Sequence, residues 1–389
     1  MRNQFLDGVT AVLADLRDRA REIEALRRVS DDSMKQLIGT GVFRALQPSR
    51  YGGLELDAMA FYEAVRRIAG ACGSTGWVAS IVGVHPWQLA LFPDQAQADV
   101  WSDDPDTLIS SSYAPTGRVD AVDGGYRVTG RWSFSSGCDH GQWVFLGGAV
   151  LDPSGRPIDF GTLLLPRSDY VIDDVWDTVG LRGTGSNDIV VNDAFVPAHR
   201  FLSFADTSRC QCPGHSENTA PLYRLPFASV FSNTITAPII GMAQGAYDAH
   251  VAMMSERLRI SYGGQRVVDD GFAQVRVASA ASEIDAAWLQ LERNISELTR
   301  YATEGKTIPM ELRARTRRDQ VRGTERAIEA VDTLFENSGG HALGRGTPIE
   351  RAWRDAHSGR AHVVNDPERA LATYGKLAWG LSIDQEPMV

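Results

Sequence analysis

Two histidines offer proton chemistry in this chain. His85 sits in Val84-His85-Pro86-Trp87, inside the otherwise apolar, helix-periodic run 75–91. Most lone histidines on apolar stretches are satisfied core residues, yet an imidazole titrates near neutral pH and can take or share a proton. Trp77 lies eight residues earlier, and at about 3.6 residues per turn the two side chains share one helix face. His362 lies in the stretch 338–367, which opens on Gly339-Gly340, carries alternating charges and closes on Asn365-Asp366-Pro367. The spacing predicts a helix bearing His357 and His362 with no acid beside them, and the glycine pair predicts a tight backbone approach. Asp366 before Pro367-Glu368 has the form of a helix N-cap with proline in the first turn.

Hydroxyls gather at two further places, Ser110-Ser111-Ser112 and Ser133-Phe134-Ser135-Ser136-Gly137. On residue types alone the second run is a strand-ending turn. Cys210-Gln211-Cys212 with His215 has the ingredients of a metal clip. Tetrahedral sites need a wider cysteine gap and a fourth ligand, so an ordinary loop is expected and no metal site is assigned. With Cys72 and Cys138 the cysteines are few and not spaced as a disulfide framework.

The elements that must position these residues follow from pattern. Apolar residues recur at helical spacing from Val9 to Leu46, with Ser30 as a cap and Gly39 or Gly41 as a stop, and again over 58–69 and 75–91. From Ile109 to Val196 the texture turns to short alternating runs between glycine-rich turns: 126–130, 143–146, 160–165 and 188–191. Residues 201–225 read as a polar loop. Long helical patterns return over 235–254, 272–304 and 307–336. The expected fold is α+β: an N-terminal helical domain (1–115), a central antiparallel β-domain (116–215) and a C-terminal helical bundle (216–389). A formal charge of −10 argues against a nucleic-acid partner. No stretch approaches the roughly 20 apolar residues of a membrane span, and the first residues lack a signal-peptide core, which reads as cytoplasmic.

Several local motifs resemble the acyl-CoA dehydrogenase family. They are Gly180-Leu-Arg-Gly-Thr-Gly-Ser186 with Phe195-Val-Pro197, Thr129-Gly-Arg-Trp-Ser-Phe-Ser-Ser-Gly137, and Ser338-Gly-Gly with Pro348-Ile-Glu-Arg351 and Arg354-Asp-Ala356. In many of those enzymes a catalytic Glu follows the Arg-Asp-Ala helix; here its place holds Val363, beside His362. Val363 cannot accept a proton. Cys72-Gly-Ser-Thr-Gly-Trp77, Ile81-Val-Gly-Val-His85, Ile109-Ser-Ser-Ser-Tyr-Ala-Pro115 and Ser135-Ser-Gly-Cys-Asp-His140 instead resemble the two-component, flavin-dependent monooxygenases built on this fold.

That resemblance implies an oxygenase component that takes reduced flavin (FMNH2, with FADH2 the second choice) from a separate NADH-dependent reductase. It implies O2 addition at flavin C4a, guarded from water as the hydroperoxide, and ortho-hydroxylation of a bulky phenol to a catechol. The secosteroid phenol of steroid degradation is the first substrate implied. Ser136 is cast as the hydroxyl donor near flavin N5 and C4a, and His362 as a group facing the oxygen adduct. Asp366 is cast as a group that orients His362 or binds substrate. His85 and Ser111 are cast on the phenol oxygen, with Trp77 as an apolar wall. Arg259, in Arg-Ile-Ser-Tyr-Gly263, and Arg257 as the fallback are cast on the flavin phosphate, reached from a neighbouring subunit of a homotetramer. Arginines at a helix edge are otherwise usually solvated. Three readings compete with this one: the same chemistry on another polycyclic or polyketide phenol, an acyl-CoA dehydrogenase with a relocated base, and a scaffold without chemistry.

Overall fold

The structure, a computed structural model, describes residues 1–260, 263–383, 386 and 389. Ser261 and Tyr262 of the Arg259–Gly263 motif lie outside the described residues. The N-terminal part is helical: α1 (Arg2–Asp18), α2 (Ala20–Leu26), α3 (Asp31–Thr40), α4 (Ala58–Ala71), α5 (Gly73–Leu89) and α6 (Asp94–Trp101). Ser30 caps α3 by accepting from Ser33 N, and Gly41, at φ 80°, ends it. All residues of α5 are buried, so this helix is apolar on every side and serves as the central strut.

The sheet follows: β1 (Ile109–Ser112), β2 (Arg118–Val122), β3 (Gly125–Ser135), β4 (Trp143–Leu151), β5 (Pro157–Pro166), β6 (Val171–Asp173), β7 (Asn187–Pro197) and β8 (Phe201–Ser203). Its order is β6-β7-β3-β2-β4-β5-β8, with β1 also paired to β4. The expectation of a purely antiparallel domain needs correcting, because β1 and β2 both run parallel to β4. The two short strands lie end to end along one edge of β4, while β5 takes the other edge. The sheet therefore begins at Ile109, ahead of the boundary at 115.

The segment 201–225, expected to be a loop, contains β8, the short helix α7 (Phe204–Arg209) and two 3-10 turns. Ser203 caps α7 by accepting from Ala205 N at 3.2 Å. His215 Nε2 donates to the Tyr223 carbonyl at 2.8 Å, and its Nδ1 accepts from Cys212 N at 3.3 Å. Both ring nitrogens thus tie down backbone.

The C-terminal part holds α8 (Phe227–Met254), the hairpin β9 (Leu258–Arg259) and β10 (Gln265–Arg266), α9 (Gly271–Thr303), α10 (Met310–Ser338), α11 (Pro348–Arg360) and α12 (Pro367–Ala378). Helices from both ends of the chain share one apolar core, in which Leu16, Val65 and Trp87 join Ile239, Ile284 and Leu334. The sheet keeps a second core around Val128, Trp132, Val144 and Ile189. Phe145 and Leu164 leave the sheet to pack on the helical core, which seats β4 and β5 against α5. Two expectations in the stretch 338–367 change. Helix α11 ends at Arg360, so His362 stands in the turn beyond it as the cap of a short 3-10 segment. Gly339 has φ 61°, and neither it nor Gly340 has a neighbour where a Cβ would stand, so the pair serves a turn and not a close approach within the chain.

No described helix is long and apolar enough to cross a membrane.

Candidate active site

Helix α5, strands β1 and β3, the loop 180–186, helix α8 and the turn after α11 converge on one place. Strand β3 brings Ser136 there through a bulge. Its pairing to β7 runs Trp132↔Ile189 and then Ser135↔Asn187, which puts one more residue on β3 than on β7. Phe134 absorbs the bulge at φ 69°, an unusual value for an aromatic residue, and stands 71% exposed, edge-on to Trp176. The next hydroxyl is thereby turned inward. Trp77 Nε1 donates to Ser136 Oγ at 3.1 Å, and Ser136 Oγ lies 2.8 Å from Ser186 Oγ. Thr184 Oγ1 lies 2.6 Å from Ser186 Oγ and donates to the Leu181 carbonyl at 2.9 Å.

The loop carrying Thr184 and Ser186 is anchored by Asp355 of α11, whose Oδ1 accepts from Leu181 N at 2.6 Å. Burial lifts this carboxyl to about 6, opposed by that hydrogen bond and by the Arg354 charge. Gly359, also on α11, leaves room for Trp77: a Cβ there would stand 3.0 Å from the indole ring.

Toward the C-terminal end of α5, His85 is 0% exposed. Its Nδ1 is 2.6 Å from the Ile109 carbonyl and its Nε2 is 2.9 Å from Ser111 Oγ. A carbonyl only accepts, so Nδ1 carries the proton, Nε2 is bare and Ser111 donates to it. Burial pushes this imidazole down to about 4, opposed by the Ile109 hydrogen bond. The ring is wedged edge-on against Phe145 and Tyr113, and Tyr113 Oη donates to Gln88 Oε1. Burial raises the Tyr113 phenol, which stays protonated as that donor.

An aromatic wall links these two places. Phe227 and Phe231, one turn apart on α8, stack at 5.7 Å, and Phe231 meets Tyr113 edge-on at 5.0 Å. His362 lies 6.4 Å from the Phe231 ring and 6.1 Å from the Trp77 ring, centre to centre. Its Nδ1 accepts from Val364 N at 3.2 Å, so the neutral ring carries its proton on Nε2. Burial, helped by the Arg317 charge, lowers it to about 4. Arg317 itself is 7% exposed on α10 and donates to the Val364 carbonyl at 2.5 Å.

The structure thus gathers Trp77, His85, Ser111, Ser136 and His362. Asp366 takes the cap role: it accepts from Arg369 N at 3.3 Å, pairs with Arg369 Nε and keeps 38% of its side chain exposed. The orienting bond to His362 comes from Val364 N instead. Arg257 and Arg259 lie away from this cluster. Arg257 donates to the Ser338 carbonyl at 2.7 Å, and Arg259 pairs with Asp270. His357 lies over the Trp353 ring and contacts Asp332 at 3.1 Å. Val363, in the place of the expected acid, is 82% exposed. Two surface clefts of about 400 and 550 Å3 lie elsewhere; Tyr301 and Tyr374 line one, Asp332 and His357 the other.

Sequence reading gave no role to Tyr113, Gln88, Phe227, Phe231, Thr184, Ser186 and Arg317. The phenylalanines had a signal in their four-residue spacing, and Thr184 and Ser186 stood inside a quoted motif. Arg317, within Arg315-Thr-Arg-Arg-Asp319, had none.

The donor set fits a flavin. A hydroxyl chain and a neutral imidazole N–H meet two ring walls, which suits a planar heterocycle with polar edges.

Comparison with known proteins agrees. The acyl-CoA dehydrogenase N-terminal domain matches residues 2–103 and the acyl-CoA dehydrogenase C-terminal domain matches 233–367. The chain belongs to the acyl-CoA dehydrogenase family and, within it, to the oxygenase subunits of flavin-dependent monooxygenases. It is 57% identical over 378 residues to the flavin-dependent monooxygenase, oxygenase subunit HsaA, of Rhodococcus jostii (strain RHA1), covering 97% of this chain and 99% of that one. The crystal structure of 3-HSA hydroxylase from Rhodococcus sp. RHA1 superposes with a TM-score of 0.95 at 55% identity, over 99% of each chain. XiaF from Streptomyces sp., solved with FADH2 and glycerol, gives 0.91 at 26% identity over 100% of this chain and 97% of that one.

Proposed function

We propose that this chain is the oxygenase component of a two-component monooxygenase that hydroxylates a bulky phenol ortho to its hydroxyl group, giving a catechol. The secosteroid phenol of steroid degradation is the substrate we favour, since the 57%-identical relative is an HsaA subunit. One observation carries the reading: His85 and Ser111 form a neutral, buried proton-accepting pair, while the position of the family's acid holds the exposed Val363. That set suits activation of a phenol better than removal of a carbon-bound proton.

Ser111 donates its proton to His85, so its remaining lone pairs accept the phenol O–H. A phenol titrates near 10, and His85 sits at about 4. Full transfer before reaction costs about 8 kcal/mol at 1.36 kcal/mol per pK unit. The pair therefore acts as a general base in the transition state, when the ring loses electron density and the phenol becomes acidic. Trp77, Phe231 and Tyr113 present apolar ring surface to a fused-ring substrate and keep water from the reacting atoms. His362 holds its proton at Nε2, and Ser136 stands beside Trp77; these are the groups proposed to face the flavin. Bound reduced flavin would supply the two electrons that activate O2.

A separate reductase is proposed to deliver that flavin. FADH2 is the form to test first, because XiaF was solved with it, and FMNH2 second. Arg257 and Arg259 remain proposed ligands of the flavin phosphate in a homotetramer; Asp270 and the Ser338 carbonyl already orient them. The deciding experiment mixes purified protein with reduced flavin, O2 and the secosteroid phenol. Catechol formation is expected. Release of H2O2 alone, with either flavin, sinks the proposal.

A further inference from the structure

Three hydroxyls stand in a row between two groups whose hydrogen-bonding roles cannot be exchanged. At one end is the Trp77 indole N–H, which only donates, 3.1 Å from Ser136. At the other is the Leu181 carbonyl, which only accepts, 2.9 Å from Thr184 Oγ1. Each hydroxyl owns one proton, so the direction of every bond between them is decided. Thr184 gives its proton to Leu181. Ser186 must then donate to Thr184 across 2.6 Å, and Ser136 must donate to Ser186 across 2.8 Å. The reverse direction would leave the Thr184 oxygen facing a carbonyl oxygen at 2.9 Å with no proton between them.

The frame around the chain holds this polarity. The Leu181 carbonyl also accepts from Trp176 Nε1 at 2.9 Å, and the N–H of Leu181 is fixed on Asp355. Thr184, Ser186 and Ser136 are 1%, 3% and 6% exposed, so bulk water does not re-sort the protons. Ser136 therefore offers the site a lone pair, although the family resemblance casts it as a donor.

Reduced flavin carries a proton on N5, whereas oxidised flavin has a bare nitrogen there. We propose that Thr184 and Ser186 are positioning residues that commit Ser136 to accepting, so that the site selects reduced over oxidised flavin. This rests on the reading that Ser136 faces flavin N5. Ser186 and Thr184 touch no substrate in this proposal; they act only through the direction of the Ser136 hydroxyl.

The test is anaerobic equilibrium titration with reduced and oxidised flavin, run with FAD and FMN, and its readout is the ratio of the two dissociation constants. Ser186→Ala and Thr184→Val release the Ser136 proton, which can then bond to bare N5. The preference for reduced flavin is expected to fall about tenfold, the size of one well-placed hydrogen bond. Ser186→Thr keeps the hydroxyl and is expected to restore it. In a Ser136→Ala background, Ser186→Ala should move the ratio no further. Partial misfolding weakens both flavins equally and leaves the ratio alone, so it cannot imitate the effect. If Ser136→Ala shifts the ratio while Ser186→Ala and Thr184→Val do not, the polarity argument fails and the placement of Ser136 stands. If Ser136→Ala leaves the ratio unchanged, both fail.

Discussion

His85 and His362 are the same side chain put to opposite use at the two ends of one aromatic wall. Both are neutral imidazoles held at about 4, chiefly by burial. The difference lies in which nitrogen the backbone claims. At His85 the Ile109 carbonyl takes the Nδ1 proton, so Nε2 faces Ser111 as an acceptor. At His362 the Val364 N–H fills Nδ1, so Nε2 carries the proton. One backbone contact in each case turns imidazole into a base or into a donor, with no carboxylate involved. The supports differ as well. His85 lies inside a fully buried helix, whereas His362 lies in a turn that hangs from Arg317 and Asn365.

The largest effect is expected at the acceptor. His85→Gln removes the base and should lower kcat/KM for catechol formation by about 10²- to 10⁴-fold, the usual worth of general-base catalysis. Flavin oxidation by O2 should continue, and H2O2 should account for it. Equal loss of flavin oxidation would show that His85 supports the whole site and not the phenol alone. At the donor the effect should be smaller and graded. His362→Gln keeps an N–H and His362→Ala does not, so the catechol-to-H2O2 ratio should fall about tenfold further in the alanine variant. Equal ratios in the two variants would break the assignment of His362 as a donor.

Much of this frame was legible in the sequence. The helix carrying Trp77 and His85 followed from apolar spacing, the Ser30 cap from its residue type, and four strands from alternation. Sequence could not show which nitrogen of each histidine is bare, because that depends on contacts to Ile109, 24 residues away, and to a turn whose shape tertiary packing sets. The residue pattern carries helix α11 on to His362; the structure ends it at Arg360, where Ala361 N bonds back to the Gly359 and Ser358 carbonyls and Asn365 Nδ2 donates to the Gly359 carbonyl at 3.0 Å. The Ser136–Ser186 bond joins residues 50 apart, and the parallel pairing of β1 and β2 to β4 is likewise long-range. Propensity carries no information about either.

The two histidines should also shape stability against acid. Each has a folded value below the ordinary 6.5, so above that pH both states are neutral and neither histidine matters. As pH falls from 6.5 toward about 4, the unfolded chain takes up protons that the folded chain refuses. Folding should lose about 1.4 kcal/mol per pH unit for each histidine across that window, until the folded rings also protonate. Denaturant melts of wild type and His85→Gln between pH 7 and 4 would check this, and the stability of the variant should fall with the shallower slope. Parallel pH curves would mean that His85 does not titrate differently in the two states.

The smallest and most selective change should come from Arg317→Met, which acts on one histidine only. The Arg317 Nη2 holds the Val364 carbonyl at 2.5 Å, its Nη1 donates to Gln320, and Gln320 Nε2 donates to Asn365 Oδ1 at 2.8 Å. Burial lowers the guanidinium to about 10 while the Asp366 charge partly restores it, so it remains a cation at neutral pH. Trp77 from α5 and Phe231 from α8 add no charge to the surroundings of His362; the charge that acts on it is Arg317, which is itself faced by Asp366. Methionine fills similar volume without charge, so His362 should titrate higher by up to about one unit, with His85 unmoved. Arg317→Lys keeps the cation and should leave His362 near its wild-type value. Histidine ring resonances in labelled protein, assigned through His85→Gln and His362→Gln, report both titrations in one sample. If the methionine variant moved both histidines together, the cause would be a general loosening of the site and not the Arg317 charge. If it moved neither, burial alone would account for His362, and the two histidines would differ in tautomer only.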